Sequence, residues 1–216
     1  MAEDTELVET TAPRKRPKPG ERRVQILQTL ASMLQQPGAE RITTAALAAR
    51  LEVSEAALYR HFASKAQMFE GLIEFIEQTV FSLVSQIAER ESTAVSPDLG
   101  DDPGAGARHA RKVVAMLIQF AEKNPGMTRV MVGDALVFEN ERLQQRMNLF
   151  FDKIEATLRQ CLRTASTGSD TPTVDAQVRA SVLASFVAGR LQRFARSGFT
   201  RLPTEHLEGS LRSLLA

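Results

Sequence analysis

Residues 42–62 read ITTAALAARLEVSEAALYRHF, and the prediction of the fold starts from this stretch. Apolar residues mark one face of a first short helix and one face of a second: Leu47, Ala48 and Leu51, then Ala57, Leu58 and Phe62. Val53 lies between the two helices, where it can fill the turn. Two short helices packed across a tight turn predict a helix-turn-helix, with the second helix running from about Ser54 to Phe62.

Positive charge is concentrated at the same end of the chain. The net charge of the whole sequence is only +1. Residues 14–65 nevertheless contain ten Lys and Arg against four Asp and Glu, a local net charge of +6. A basic stretch is typical of a protein that meets phosphates, although a solvated tail has the same composition. Together with the helix pair, the charge predicts binding to double-stranded DNA.

The positions left free by the packing predict which residues contact DNA. Thr43 and Thr44 begin the first helix, where hydroxyl and backbone N–H groups suit phosphate oxygens. Ser54 begins the second helix, whose first turn reaches base edges, and it is also the expected N-cap. The predicted DNA contacts are Thr43, Thr44, Ser54, Glu55, Ala56, Tyr59, His61 and Lys65, with Arg16, Lys18 and Arg22 from the basic arm.

This segment resembles the N-terminal domain of the TetR family of bacterial regulators. The resemblance rests on Val53-Ser54, on residues 58–62 and on Ser64-Lys65. Glu52 stands in the turn where the family usually has glycine. We therefore expect a positive φ at Glu52, at a cost of roughly 1 kcal/mol.

The resemblance is closer to one branch of that family, the nucleoid occlusion factors, and it covers about residues 21–200. It rests on five stretches: 41–44, 54–62, 72–77, 124–129 and 138–144. It implies a cytoplasmic protein, associated with the nucleoid, that binds chromosomal DNA and the division protein FtsZ together and stops FtsZ polymers from assembling over the nucleoid. The implied FtsZ-binding residues are Phe75, Met116, Lys123 and Asn124.

Phe75 is also unusual on the residues alone. On a helical wheel it lies about 120° from the apolar stripe of the helix predicted to begin at Ser64, which is its expected N-cap. It could therefore pack against a neighbouring helix of a bundle, or it could be an exposed anchor for a partner peptide. Both interpretations stay open at this point.

A late helix, predicted over 174–197, is apolar around more than half of its circumference. Such a helix is typically buried on one side by its own core and on the other by a second subunit. The predicted dimer interface consists of Val178, Val182, Phe186, Leu191 and Phe194. A fully internal core helix is the alternative. A two-fold dimer, which the resemblance implies, would present two copies of the reading helix, the second helix of the helix-turn-helix, to a palindromic site.

The remaining periodicity predicts an all-α, TetR-like architecture of about nine helices. After the helix-turn-helix, further helices are expected over 64–91, 107–123, 127–138, 140–163, 174–197 and 204–215, with long loops over 92–108 and 164–173. The predicted organisation is a flexible basic arm over 1–20, a DNA-binding domain over 21–66, and a helical dimerisation and FtsZ-binding domain over 67–216.

Composition narrows the remaining classes of function. A hydrophobic fraction of 43 % and a charged fraction of 25 % are typical of a soluble globular protein, and no signal peptide or membrane-spanning run is expected. His61, His109 and His206 lack metal-ligand spacing, and no cofactor loop or catalytic set is evident, so neither a metal site nor an enzyme is predicted. The alternative function is a ligand-responsive repressor with a small molecule held in the helical core.

Overall fold

The computed structural model describes residues 20–36, 42–94, 104–165 and 171–215, and every regular element within them is helical. The α-helices of these ranges are α1 (Glu21–Leu34), α2 (Thr44–Arg50), α3 (Glu55–Tyr59), α4 (Lys65–Ala94), α5 (Ala105–Lys123), α6 (Pro125–Met131), α7 (Glu141–Ala165), α8 (Pro172–Arg196) and α9 (Leu207–Leu214), with a 3₁₀ turn at Asp134–Leu136. The prediction of an all-α fold is confirmed for the described residues.

Hydroxyl side chains fix where the first helices begin. The Oγ1 of Thr43 accepts a hydrogen bond from the amide of Ala46 at 3.1 Å, which caps α2. Ser54 caps α3 in the same way through Ala57 at 3.3 Å, and Ser64 caps α4 through Gln67 at 3.2 Å. Each cap satisfies one of the backbone N–H groups that a helix start leaves without a partner. The N-caps predicted at Ser54 and Ser64 are confirmed.

Several predicted boundaries are wrong by a few residues. The second helix of the pair is shorter than expected, since α3 ends at Tyr59 and a single turn carries the chain to Phe62. The loop predicted over 92–108 is too long, because α4 continues to Ala94 and α5 begins at Ala105. The loop predicted over 164–173 is also too long, with α7 reaching Ala165 and α8 beginning at Pro172.

The helix predicted over 127–138 is divided and begins earlier. Its first part, α6, begins at Pro125, which suits the first helical position because proline has a fixed φ and the amide there needs no helical partner. It ends before Gly133, whose φ of +83° takes the chain out of the helix. The 3₁₀ turn follows directly after Gly133.

A continuous apolar core runs through both halves of the chain, from Ile26 in α1 to Leu215 after α9. Helix α5 is its centre, since α4, α6, α7 and α8 all pack against it. Helix α1 packs on α4 and on α6, so the N-terminal helices rest directly on the C-terminal ones. No helix in the described ranges combines the length and apolar character needed to cross a membrane.

Candidate nucleic-acid interface

The helix pair α2–α3 is closed by a small apolar contact and a strained turn. Leu47 and Ala48 of α2 and Leu58 of α3 are buried, as is Phe62 beyond it. The amide of Val53 donates to the carbonyl of Ala48 at 3.0 Å, which holds the turn. Glu52 has a φ of +53°, so the positive φ expected at that position is confirmed.

Arg23 of α1 holds the chain in place just after α3, at His61 and Phe62. The sequence alone did not reveal this role. Its guanidinium lies 4.2 Å from the ring centroid of Phe62, and its Nη1 donates to the carbonyl of His61 at 3.1 Å. Gly71 of α4 makes room for this contact, since a Cβ there would lie 3.0 Å from the Phe62 ring. The side chain of His61 is left exposed beside the anchored backbone.

Two of the threonine and tyrosine side chains predicted to contact DNA also bond to each other. Thr44 donates to the Oε2 of Glu55 at 2.6 Å, and the Tyr59 hydroxyl donates to Thr44 Oγ1 at 3.4 Å. Thr43 is different, because its oxygen caps α2 while its hydroxyl proton is still available to a phosphate oxygen. The four residues lie together across α2 and α3.

The other predicted DNA contacts are arranged around this group. Ser54 and Ala56 are exposed at the start of α3, and the Ser54 oxygen is occupied as the helix cap. Arg22 donates to Gln25 at 2.8 Å within α1. Arg16 and Lys18 lie outside the described residues.

Lys65 is held by an ion pair, which changes how it can meet a phosphate. Its Nζ lies 2.5 Å from the Oε1 of Glu139, whose side chain is only 11 % exposed. Further pairs join α4 to α7, with Arg142 at 3.7 Å from Glu70 and Arg146 at 3.0 Å from Glu77. Lys65 therefore stands at the end of a series of ion pairs that is nearest the helix-turn-helix, and a phosphate would have to compete with Glu139 for it.

We predict opposite effects for the two members of this pair. Lys65→Ala should weaken binding to all duplexes and make the salt dependence of log K shallower by about one, since phosphate contacts carry no base information. Glu139→Gln should tighten binding to all duplexes, because it leaves the ammonium free for a phosphate. Titrations of a labelled duplex at several salt concentrations measure both effects. Glu141→Gln removes the same charge two residues away and serves as the control. An unchanged salt slope in Lys65→Ala would mean that the pair with Glu139 is purely structural.

The residues of the predicted FtsZ surface differ in exposure. Phe75 and Met116 are half-buried and pack against the core, so Phe75 is neither a fully exposed anchor nor an internal residue. Lys123 is exposed at the end of α5, and Asn124 donates from Nδ2 to the carbonyl of Phe120 at 2.7 Å. Phe75 and Met116 therefore offer an apolar contact, and Lys123 offers a positive charge.

The ion pair between Lys112 and Glu91 shows which residues of α4 and α5 lie side by side. At a rise of 1.5 Å per residue, Phe75 lies roughly 24 Å from Glu91 towards the start of α4. Asn124 lies roughly 18 Å from Lys112, just beyond the end of α5. For helices packed side by side in opposite directions, these distances place Phe75 and Lys123–Asn124 level to about one helical turn.

The outward face of α8 agrees with only part of the predicted dimer interface. Val178 and Val182 are 57 % and 46 % exposed. Phe186 is half-buried, with Arg190 stacked 4.8 Å from its ring centroid. Leu191 and Phe194 are buried within the chain, so their assignment to the interface is wrong. Both lie about 140–160° around the helix from Val178, on the side that faces the core.

One exposed apolar residue of α8 extends this face and was not predicted. Val174 lies one turn before Val178 and is 59 % exposed. The sequence signal for Val174 was present, since 174, 178 and 182 repeat every four residues. Leu149 of α7 is also exposed, but it lies on the same side of α7 as Arg146 and Lys153, which pair with Glu77 of α4, and so it does not extend the α8 face.

The side chains that most often supply metal or nucleophilic chemistry are dispersed. In the described part of the chain, no three His, Cys, Asp or Glu side chains come together as a metal site. Burial lowers the pKa of His109, and burial raises the pKa of Cys161 to about 11. Cys161 is therefore a protonated thiol at neutral pH that fills apolar space.

Known proteins resemble both halves of this chain. Residues 26–72 match the model for bacterial regulatory proteins of the TetR family, and residues 107–215 match the tetracyclin repressor-like, C-terminal domain of the SlmA type. The nucleoid occlusion factor SlmA of Idiomarina loihiensis is 47 % identical over 186 residues, covering 86 % of this chain and 89 % of that protein. The factor of the same name from Vibrio cholerae is 48 % identical over 190 residues, covering 87 % and 90 %.

Solved structures agree on the fold. The regulator FadR from Bacillus subtilis, determined with stearoyl-CoA, has a TM-score of 0.68 at 12 % identity and covers 89 % of this chain and 97 % of its own. A TetR-like regulator from Rhodococcus sp. RHA1 has a TM-score of 0.68 at 18 % identity and covers 93 % and 96 %. The family model matched by residues 26–72 describes bacterial regulatory proteins, which is the class of function predicted from the sequence. The chain belongs to the TetR family of bacterial regulators and, within it, to the SlmA family.

Proposed function

We propose that this protein is a nucleoid occlusion factor that binds palindromic chromosomal sites and FtsZ together and disrupts FtsZ polymers over the nucleoid. The observation that carries the proposal is the extent of the similarity to SlmA proteins. It reaches 47–48 % identity over 86–87 % of the chain and so includes α4 to α8, far beyond the helix-turn-helix. A repressor with a different effector would share mainly the DNA-binding helices.

The α4–α5 surface supports an acidic, apolar-containing tail of FtsZ as the second partner. Lys123 supplies an exposed positive charge. The ring of Phe75 and the thioether of Met116 supply an apolar contact, and both side chains are half-buried and already packed against the core. A side chain held by packing loses little conformational freedom on binding, which favours its use as an anchor.

The decisive experiment measures FtsZ polymer assembly by sedimentation or light scattering in the presence of this protein. The measurement is made without DNA, with a duplex selected by the protein from a random library, and with a scrambled duplex of equal length. We expect inhibition that the selected duplex strengthens. Assembly that is unaffected under all three conditions would exclude the proposed function.

We also propose that α7 and α8 form a two-fold dimer interface, within a C-terminal domain over 67–216 that follows the DNA-binding domain over 21–66. Val174, Val178 and Val182 form one exposed apolar stripe along α8, and α7 packs beside this helix. An exposed stripe of this kind on a monomer is typical of an association surface. A two-fold axis there gives two copies of α3, as a palindromic site requires.

A charge placed in this stripe should disrupt the dimer. Val178→Glu buries an unpaired carboxylate in the interface and is expected to give a monomer at micromolar concentration, with much weaker binding to a palindromic duplex. Val24→Glu makes the same change at a valine of α1 that is 43 % exposed. This variant should remain a dimer in solution. Sedimentation velocity compares the two variants. A dimeric Val178→Glu would place the interface elsewhere.

No observation favours the alternative of a ligand-responsive repressor. Three clefts of about 530, 390 and 410 Å³ are lined by described residues. All three lie along the outer side of α8, beside the segments around 131–138 and 201–206. The repressor interpretation places its ligand in the core of helices four to eight, and none of the three clefts is lined by a residue of α4 or α5.

A further inference from the structure

Three side chains form a hydrogen-bonded series across the helix-turn-helix. Tyr59 donates to Thr44 at 3.4 Å, and Thr44 donates to Glu55 at 2.6 Å. Thr44 is the first residue of α2, while Glu55 and Tyr59 are the first and last residues of α3. The series therefore ties the start of α2 to the full length of the reading helix.

The polarity of the series leaves one acceptor unused at its end. The single proton of Thr44 goes to Glu55 Oε2, and a lone pair of Thr44 receives the Tyr59 hydroxyl. Within the described residues, Glu55 makes no other hydrogen bond or ion pair. Its side chain is exposed, so Oε1 remains available to a partner from outside the protein.

The other residues of the first turn of α3 contribute less to base reading. Ser54 uses its oxygen to accept from Ala57, and Ala56 presents only a methyl group. Glu55 is therefore the side chain in this turn with a free, strong acceptor. A carboxylate facing DNA is repelled by phosphates, so a donor on the DNA must compensate if Glu55 is to lie in the groove.

The chemistry of the major groove determines which base suits a fixed acceptor. Donors on its floor are the N4 amino group of cytosine and the N6 amino group of adenine. Adenine also presents the N7 acceptor beside its amino group, and guanine and thymine present acceptors, all of which repel a carboxylate. Cytosine is the base that best fits Glu55.

We propose that Glu55 is a specificity-determining residue that selects a cytosine in each half-site, with Thr44 and Tyr59 as positioning residues that hold its carboxylate. The proposal rests on DNA binding alone and is independent of FtsZ. It assigns Thr44 a different role from the phosphate contact predicted from the sequence, because the hydroxyl proton of Thr44 is committed to Glu55.

The test uses the full-length protein and duplexes that it retains from a random library. Affinity is then measured for the selected duplex and for one in which the cytosine is replaced by 2-pyrimidinone, which lacks the N4 amino group. We expect about a tenfold loss for the wild-type protein, the lower part of the range for a good base contact, and less than a twofold loss for Glu55→Ala. The proposal would be overturned if the retained duplexes had no cytosine in common, or if Glu55→Ala lost as much affinity as the wild-type protein.

Two further variants separate base reading from a purely structural role. Glu55→Gln should accept adenine at the same position, since a glutamine amide pairs with adenine N6 and N7, and such a gain cannot result from unfolding. Thr44→Val removes the hydroxyl and should lower the ratio between cytosine and 2-pyrimidinone about threefold, whereas Thr44→Ser should restore it. A Thr44→Val protein with the wild-type ratio would exclude Thr44 as a positioning residue.

Discussion

Replacing Gly126 by alanine is expected to lower the free energy of unfolding by about 3 kcal/mol, the upper part of the range for overpacking. A Cβ at this position would lie 1.8 Å from the carbonyl oxygen of Ala31 and 2.8 Å from its carbonyl carbon. Both obstacles are backbone atoms of α1, so no rotation of a side chain can relieve the overlap. The preference of helices for alanine over glycine, at most about 1 kcal/mol, is too small to compensate.

Equilibrium unfolding by denaturant measures this effect. Gly209→Ala is the matched control, because Gly209 also lies within a helix and a Cβ there would meet no atom within 4 Å. That variant should be neutral or more stable by up to about 1 kcal/mol. A Gly126→Ala protein as stable as Gly209→Ala would show that α1 and α6 are not in backbone contact.

Features that depend on neighbours in the sequence could be predicted. The caps at Ser54 and Ser64 follow from a hydroxyl placed just before an apolar repeat. The positive φ of Glu52 is expected from the resemblance, because the TetR family usually has glycine at this place in the turn. The apolar faces of α2 and α3 are equally local, which explains why the helix-turn-helix could be recognised.

Features that depend on distant residues could not be predicted. Asn124-Pro125-Gly126 reads as the end of a helix, yet it begins α6, and Gly126 is required by Ala31 far away in the chain. The Lys65–Glu139 pair has the same origin, since nothing near Lys65 indicates a carboxylate from the segment before α7. Leu191 and Phe194 were misassigned because an apolar helix does not show by its own pattern which of its sides faces the core.

Lys123→Glu is expected to abolish the inhibition of FtsZ assembly while leaving DNA affinity unchanged. Lys123 is exposed at the end of α5, so the substitution disturbs no packing, and it replaces attraction for an acidic tail by repulsion. Phe75→Ala should have the same functional effect, but it also removes a ring that packs against the core. Its stability must therefore be measured, whereas Lys123→Glu isolates binding from folding.

The two activities should be separable in both directions. Thr43→Ala removes the hydroxyl that caps α2 and that we expect to contact a phosphate, so the variant should lose DNA binding and the DNA-stimulated part of the inhibition. Arg212→Glu reverses an exposed charge on α9, a helix that contains no residue assigned to either surface, and controls for net charge. If Lys123→Glu weakened DNA binding as much as it weakened inhibition, the α4–α5 surface would not be a separate partner site. Equal inhibition by Lys123→Glu and Arg212→Glu would exclude Lys123 from the FtsZ contact, because only a specific contact distinguishes two exposed cations of the same charge.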